Sequence, residues 1–377
     1  MIKSRLLILV GCLGAGQLLA QTVSPKDQKL SRNFENVWID SLTKTVYYEQ
    51  RLYRNPFIGL HEMRKVVKDS SIRDFVPLMQ GLPIAKYRLG PTLEVLPLSE
   101  QERLSHRALS VFPYQRRDYK FDFWIQPVFA ARFGNFLKPV RSNASILLQS
   151  QVYLLPGLTL YWGVLFPITN ELDNRPQIIR PAPVFLNKFY AKKDHFVSAS
   201  LGFFHNDKYG LNVQYRRVDF NKPWSYGLEI GVTGNYYYPR GGIYYDQLYE
   251  LLLLADVAYC FRPLDLTLKL TGGQFLWNDK GVRFDFIRQF ANVEIGLFAY
   301  LTQNGSTAGF NFAVPIPPGK ILQGKKARLR TTEEFRWEYM YAGTFKIGER
   351  YQVGYQLDQR LRQYHQFYLQ RQYQQLK

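Results

Sequence analysis

The sequence predicts a mainly β protein, an antiparallel transmembrane β-barrel of about 12–14 strands preceded by a small α+β periplasmic module. Three observations lead to this prediction. The chain begins with an export signal, its residues after position 116 alternate between apolar and polar, and aromatic residues crowd the ends of the alternating segments. Aromatic residues make up 16% of the 377 residues, with 27 Tyr, 27 Phe and 6 Trp, which excludes a mainly disordered chain.

The amino terminus has the features of a secretory signal. Lys3 and Arg5 precede an apolar stretch of small and large residues from Leu6 to Ala20. This stretch is shorter than the roughly 20 residues that a membrane-spanning helix needs, and it suits the apolar region of a signal peptide. We therefore predict a signal peptide over residues 1–20, cleaved after Ala20.

A second processing site is also present. The run Leu9-Val10-Gly11-Cys12 resembles a bacterial lipobox, which would place a lipid on Cys12 instead of simple cleavage after Ala20. The only other cysteine of the chain is Cys260, which we interpret as a small apolar strand residue. Two cysteines cannot build a disulfide framework.

Residues 21–115 predict the small α+β module. Thr45–Arg54 is rich in strand-forming residues, and Pro56–Lys68 has apolar residues at roughly helical spacing. Phe75–Tyr87 contains a glycine and a proline and predicts a loop followed by a strand.

The alternation of apolar and polar residues over residues 116–358 predicts the barrel. In Leu264–Thr271 the leucines occupy one face of a strand, and Asp, Thr and Lys occupy the other. The same period of two recurs in Trp224–Val232, Val282–Phe286, Val293–Leu301 and Ala308–Ile316. At roughly 18 residues per strand and turn, the region holds about 13 or 14 strands, and bacterial barrels usually have an even number.

Turn signals separate these runs, so neighbouring strands are expected to be antiparallel. Asn304-Gly305 predicts a type I′ hairpin, because both residues tolerate positive φ. Further turns are predicted at Asn206-Asp207-Lys208 and at Asn278-Asp279-Lys280-Gly281, and Arg262-Pro263 is predicted to break a strand.

Two architectures fit such strands. A water-soluble sandwich buries the apolar faces against a second sheet, whereas a transmembrane barrel turns them towards lipid. The export signal, segments often 10–12 residues long and clusters such as Tyr236-Tyr237-Tyr238 favour the barrel. The predicted location is therefore the outer membrane of a Gram-negative cell, with the module in the periplasm.

The basic composition suggests a ligand. The chain has 49 Lys and Arg against 30 Asp and Glu, a formal charge of +19. Four cations fall on predicted polar faces and form our candidate lumen site for an anionic polysaccharide: Arg132, Arg216, Lys269 and Arg283. Such a basic, tyrosine-lined lumen would concentrate anions, and Arg binds carboxylates through paired hydrogen bonds. The alternative is that these cations bind anionic lipid headgroups on the outside of the barrel or maintain solubility.

Signatures of catalysis are scarce. The five histidines are scattered, and the sequence contains no HExxH, GxSxG or P-loop motif. The adjacent Glu333 and Glu334 point to opposite faces of a strand and are interpreted as solvated charges. We therefore predict a non-enzymatic protein without a metal or cofactor. Nucleic acid is not an expected partner, because the signal removes the chain from that compartment.

Part of the chain resembles a known family. The stretch Asp173-Asn174-Arg175-Pro176, the stretch Arg180-Pro181-Ala182-Pro183 and the strands after His195 are similar to the YjbH family, as are the later turns Asp279-Lys280-Gly281 and Arg288–Asn292. This resemblance implies an outer-membrane β-barrel that assists exopolysaccharide export or surface assembly, with other secretion proteins as partners.

Three other functions stay open at this point. They are a general porin or solute channel, a secreted carbohydrate-binding β-protein and an outer-membrane hydrolase. The Gln-rich segment 359–377 is predicted to be a C-terminal tail, either a short helix or disordered.

Overall fold

In the computed structural model, two β-sheets, four α-helices and four short 3₁₀ helices are described over residues 33–40, 42–110, 121–133, 139–172, 176–239, 241–316, 321–324, 327–341, 346–351, 353–354 and 356–375. The predicted signal peptide and Cys12 lie outside these residues. The first sheet belongs to the amino-terminal module, and its strands are β1 (Phe34–Asp40), β2 (Thr45–Gln50), β3 (Asp74–Met79), β4 (Leu82–Pro83), β5 (Lys86–Leu89) and β6 (Leu93–Leu96).

The module has the α+β composition that the sequence predicts. Helix α1 (Pro56–Val66) connects β2 to the parallel strand β3, and helix α2 (Glu100–Ser110) follows β6. Asn55 caps α1 by accepting a hydrogen bond from the backbone N–H of Phe57 at 2.9 Å. Strand β2 ends before the predicted Arg54, because the side chain of Gln50 accepts the N–H groups of Leu52 and Tyr53 and turns the chain.

The second sheet holds sixteen strands. They are β7 (Phe121–Phe133), β8 (Val140–Leu155), β9 (Leu158–Asn170), β10 (Arg180–Lys192), β11 (His195–Phe203), β12 (Lys208–Val218), β13 (Trp224–Tyr237), β14 (Tyr244–Tyr245), β15 (Glu250–Phe261), β16 (Leu266–Gln274), β17 (Lys280–Gln289), β18 (Glu294–Thr302), β19 (Gly305–Val314), β20 (Leu322–Gln323), β21 (Ala327–Thr331) and β22 (Phe335–Met340).

This sheet is the predicted antiparallel meander. From β7 to β19 each strand pairs with the next, except that the short β14 lies beside β13 and β13 pairs directly with β15. The wall is therefore built from consecutive, mostly long strands joined by local turns, and helices are few. Among the described residues, no helix is long and apolar enough to cross a membrane.

The two faces of the sheet differ as the alternation predicts. On β17 the outward side chains Val282, Phe284 and Phe286 are 42%, 46% and 42% exposed, whereas the inward Arg283 and Asp285 are 6% and 5% exposed. Outward apolar side chains of many strands are likewise exposed: Ile125, Leu201, Leu211, Leu228, Ile230, Leu253, Leu270, Ile295, Leu297 and Phe310. One face of the sheet is thus apolar and uncovered, and the opposite face is polar and buried.

The turns differ from the prediction in one detail. Between β18 and β19, Thr302 pairs with Gly305, so that Gln303 and Asn304 occupy the two central positions. Neither residue has a positive φ, and the predicted type I′ turn centred on Asn304-Gly305 is wrong. The predicted turn at Asn206 is confirmed, since both Asn206 and Asp207 adopt positive φ.

The ends of the large sheet lie side by side. Strand β21 pairs in parallel with the first half of β7, and β22, which follows β21, pairs with β19. The ring centroids of Phe129 on β7 and Trp337 on β22 are 6.0 Å apart, and those of Phe133 and Tyr339 are 5.1 Å apart. The first and last strands therefore meet, although the hydrogen-bonded ladder between them covers only part of their length.

Buried ion pairs attach the module to one end of this sheet. Arg328 on β21 is 1% exposed, and it donates to Asp122 at 2.7 Å and to Glu35 of the module at 2.5 Å. Arg54 of the module binds Glu334 at 2.8 Å and Glu294 at 3.3 Å. Glu334 is 3% exposed, so its interpretation as a solvated strand charge is wrong.

The C-terminal segment packs into the hydrophobic core of the module. Helices α3 (Leu357–Leu361) and α4 (Gln366–Gln375) follow the last strand. Leu361, Tyr368 and Leu369 join a cluster with Tyr48 and Phe57 of the module. The segment is helical, as one of the two predictions had it. It is held in place because its apolar side chains complete the core of the module.

His106 makes the stability of the module depend on pH. Its ring is 2% exposed and lies 5.1 Å from the ring of Tyr47, and burial lowers the pKa of the imidazole to about 4 from 6.5. The unfolded chain therefore takes up a proton first as the pH falls. The contribution of neutral His106 is fully present above pH 6.5 and is lost between pH 6.5 and pH 4, by about 3 kcal/mol in total.

We expect His106→Phe to remove this pH dependence while keeping the ring contact. The measurement is amide hydrogen exchange of α2 in the full chain at pH 7 and pH 4.5. Wild type should exchange faster, after correction for intrinsic rates, at the lower pH, whereas the variant should not. The same change in corrected exchange rate between pH 7 and pH 4.5 in wild type and variant would show that the titration of His106 does not control the stability of the module.

Candidate functional site

The interior of the large sheet is occupied by the residues that follow its last strand. Ile347, Tyr351 and Val353 pack in one cluster with inward side chains from distant strands, among them Trp124 and Phe298. The ring of Tyr351 stacks on Phe204 with centroids 5.5 Å apart. We call the described residues 346–351, 353–354 and 356–364 the interior segment, because they pack against the inward face of the large sheet.

Polar contacts fix the interior segment to the strands. Asn212 on β12 donates to the hydroxyl of Tyr351 at 2.8 Å, and the backbone N–H of Leu357 donates to the side chain of Gln214 at 2.8 Å. Arg350 binds Glu229 on β13 at 2.5 Å. Because these strand groups are buried, the segment satisfies hydrogen bonds that the interior would otherwise leave unmade.

Glycines on the inward face of β13 make room for these contacts. A Cβ atom added at Gly231 would lie 1.7 Å from the hydroxyl oxygen of Tyr351. One added at Gly227 would lie 2.1 Å from a carboxylate oxygen of Asp256 and 2.7 Å from the guanidinium of Arg216. The alternation of glycine with large outward residues in β13 thus has a structural cause.

A cavity of about 520 Å³ remains beside the interior segment, and its other walls come from strands β12, β13, β16 to β19 and β22. Seven Lys or Arg and five Asp or Glu side chains are found among its described lining residues. Three aromatic residues, Trp277, Tyr300 and Tyr351, also line it. This cavity is our candidate functional site, because it combines charge, hydrogen-bonding groups and aromatic faces in one polar space.

Two of the predicted site residues line this cavity. Arg283 is bound by Asp285 at 2.7 Å and by Glu338 at 3.0 Å, and its guanidinium lies 4.0 Å from the ring centroid of Phe298. Lys269 binds Asp358 of the interior segment at 2.6 Å. Both cations face inward, as the alternation predicts, and both already have carboxylate partners.

The other two predicted site residues lie elsewhere. Arg216 is buried on β12 and binds Asp256 at 3.0 Å, and Asp256 also lies 3.8 Å from Lys269. Arg132 is exposed near the end of β7, on the same face as the buried Trp124. The structure therefore brings Arg216, Lys269 and their carboxylates together but leaves Arg132 apart. The expected excess of one charge in the lumen is replaced by paired charges of both signs, and polysaccharide binding by these four residues stays a prediction.

The sequence did not point to the residues at the mouth of the cavity, which is the opening beside Trp277. Trp277 lies in the turn between β16 and β17 with φ at +61°, which is rare for a bulky residue. The ammonium groups of Lys346 and Lys208 lie 3.9 Å and 5.0 Å from the centre of its indole ring, and its N–H donates to Glu349 at 2.7 Å. The Asn278 turn signal was visible in the sequence, but the position of Lys346 beside the indole depends on the interior segment.

Metal binding finds no support in the part of the chain that the structure describes, where no group of three or more His, Cys, Asp or Glu side chains could hold an ion. The free Cys260 is partly buried on β15.

The chain has little similarity to known proteins. No family model and no curated protein matches the chain. Two solved structures of OmpT, an outer membrane protein of Vibrio cholerae, are similar in part. The in-vitro folded form shares 6% identity over 58% of this chain and 96% of OmpT, with a TM-score of 0.29. The form that lacks loop L8 shares 6% identity over 52% of this chain and 87% of that chain, with a TM-score of 0.29. These scores are too low to establish a common fold.

We expect Gly231→Ala to displace Tyr351 and to destabilise the fold by about 1–3 kcal/mol, because the added methyl group overlaps a buried side chain. The measurement is the urea concentration at which the detergent-solubilised chain unfolds. Gly242→Ala is the matched control, since a Cβ atom there has no neighbour within 4 Å. Tyr351→Phe removes the nearest overlapping atom and should restore part of the stability in the double variant. Equal effects of the two glycine substitutions would contradict this interpretation.

Proposed function

We propose that the large sheet is a transmembrane β-barrel of the outer membrane and that its interior cavity binds an anionic exopolysaccharide, whose export or surface assembly the protein assists without catalysis. The observation that supports the membrane location is the uncovered apolar face. Exposed apolar patches on soluble proteins rarely exceed a few hundred Å². Here the exposed apolar side chains follow strand after strand around the sheet.

The strand count supports a closed wall. Twelve consecutive strands, β7 to β19 without β14, are followed by the continuous segment β21–β22, which gives thirteen wall positions. In an up-and-down barrel with an odd number of strands, the first and last strands must run parallel. The parallel pairing of β21 with β7 fulfils this condition. The expectation of an even number of strands does not apply to such a wall.

Loop lengths support the orientation. Several connections beside the module are short, such as residues 156–157 between β8 and β9 and residues 193–194 between β10 and β11. The opposite end carries the longer connection 238–249, which contains β14, as well as the two-residue turn 303–304. Outer-membrane barrels have short periplasmic turns and longer extracellular loops. In this orientation the module lies in the periplasm.

The chemistry of the cavity supports an acidic saccharide as ligand. At the mouth, the indole of Trp277 is 41% exposed and offers an aromatic surface to a sugar ring, and the ammonium group of Lys346, whose side chain is 54% exposed, offers a cation for carboxylates or phosphates. Lys208, on the same indole, is already bound by Glu250 at 2.7 Å. The interior segment weighs against a general porin, because it fills space that small solutes would cross. The uncovered outward face weighs against a secreted soluble protein.

The membrane location predicts a position-specific effect of charge. We expect Leu297→Arg, in the middle of the outward face of β18, to cost about 2–4 kcal/mol and to reduce the heat-modifiable, membrane-inserted fraction. The matched control is Leu248→Arg, because Leu248 is 52% exposed in a loop and Leu297 is 59% exposed on the sheet. In a water-soluble protein both substitutions would be tolerated, and equal insertion of the two variants would contradict the proposal.

Ligand binding can be tested at the mouth. We expect Trp277→Leu and Lys346→Gln to weaken binding of polygalacturonate by roughly five- to tenfold each, or about 1–1.4 kcal/mol. The measurement is calorimetric titration of the purified chain, with dextran as the neutral polymer. Trp224→Leu and Lys222→Gln, two exposed residues at the module end, serve as matched controls. Wild-type affinity for dextran equal to that for polygalacturonate would refute an anionic ligand.

A further inference from the structure

The wall of the large sheet has one incompletely paired seam. The parallel ladder of β21 on β7 ends at Thr331 and Ile125, and one further bond joins the N–H of Thr332 to the carbonyl of Ile125 at 3.0 Å. Beyond Ile125, no ladder joins the rest of β7 to β22 within the described residues. On its other side β7 stays paired with β8 as far as Phe133, so only the edge that faces β22 is open.

A cavity of about 320 Å³ lies at this seam. Five consecutive residues of β7, 126–130, and five consecutive residues at β22, 334–338, line it. Consecutive residues of a strand point to opposite faces, so a cavity lined by all of them reaches through the wall. Its inner part is lined by side chains of other strands, including Gln149, Asn187 and Ser198, and by Leu357 of the interior segment.

The outer mouth of this cavity is apolar and aromatic. Phe129 is 41% exposed on the outward face of β7, and its ring contacts Trp337 across the seam. The seam lies in the half of β7 that is distant from the module, because Asp122 at the start of the strand forms the ion pair with Arg51 of the module. A hydrocarbon chain at the mouth would meet aromatic side chains. Polar groups further inside would meet amide and hydroxyl groups and charged side chains, among them Arg336, Glu338 and Arg360.

We propose that the seam between β7 and β22 is a lateral opening that admits the acyl chain of a bilayer lipid from the leaflet distant from the module. The inference rests on the proposed membrane location of the barrel. It does not depend on the polysaccharide. An acyl chain fits this site because the opening lies within the apolar outer belt and leads into a cavity with Phe185 and Leu357 on its walls. In lipid, unpaired strand edges are unfavourable unless something covers them, and an entering amphiphile would do so.

The test places a photo-reactive benzoyl-phenylalanine at one of three positions of the full chain in phosphatidylcholine vesicles. Val128 lines the seam cavity and shares the inward face of Asp122 and Trp124. Ile287 also faces inward, but on β17, which is fully paired on both sides. Leu297 faces outward. After illumination, mass spectrometry measures the yield of lipid adduct for each variant that passes a heat-modifiability assay.

We expect the lipid yield at Val128 to approach that at Leu297 and to exceed that at Ile287 severalfold. A yield at Val128 as low as that at Ile287, with Leu297 labelled, would overturn the lateral opening and leave the barrel intact. Adducts of Val128 with a second copy of the chain in place of lipid would also overturn it, since the edges would then pair between proteins. Absence of lipid adducts at Leu297 would instead refute the membrane location and the opening with it.

Discussion

The separation of the two faces of each wall strand is the constraint on which the rest of the structure depends. Because side chains alternate along a strand, one face can be apolar and exposed while the other carries charge, as Phe284 and Arg283 do on β17. This arrangement encloses the polar side chains in the interior. Every buried charge there then needs a partner, since an unpaired charge in a dry interior is strongly unfavourable.

Many of these partners lie on other wall strands, as Asp256 does for Arg216, but several come from outside the wall. Lys269 is matched by Asp358 and Glu229 by Arg350 of the interior segment, and Asp122 is matched by Arg51 of the module as well as by Arg328 on β21. The interior segment and the module therefore supply partners for buried charges on the strands. Gly231 leaves the space that Tyr351 of the interior segment occupies. The polar cavity is what remains after these pairs have formed, which explains why its walls carry both signs of charge.

The sequence predicted well what depends on local pattern. The inward and outward faces of β13 and β17 followed from alternation, and helix α1 followed from the Pro56 start and the spacing of its apolar residues. What failed depends on contacts between distant parts of the chain. Arg328 and Glu35 are 293 positions apart, and no local signal joins them. The position of Trp277 between two lysines likewise follows from where the interior segment lies. The Gln-rich composition of residues 359–377 conceals the few apolar side chains that pack against the module.

The contact between helix α4 and the module has a consequence for biosynthesis. The hydroxyl of Tyr373 donates to the carbonyl of Gly90 at 2.8 Å, across 283 positions, and Tyr373 belongs to the core of the module. The strands of the module are therefore synthesised long before part of its hydrophobic core, which is contributed by helix α4. Contacts this distant in sequence form slowly, and intermediates that lack them expose apolar surface. A nascent chain that has not yet reached helix α4 would thus carry a module whose hydrophobic core lacks part of its side chains.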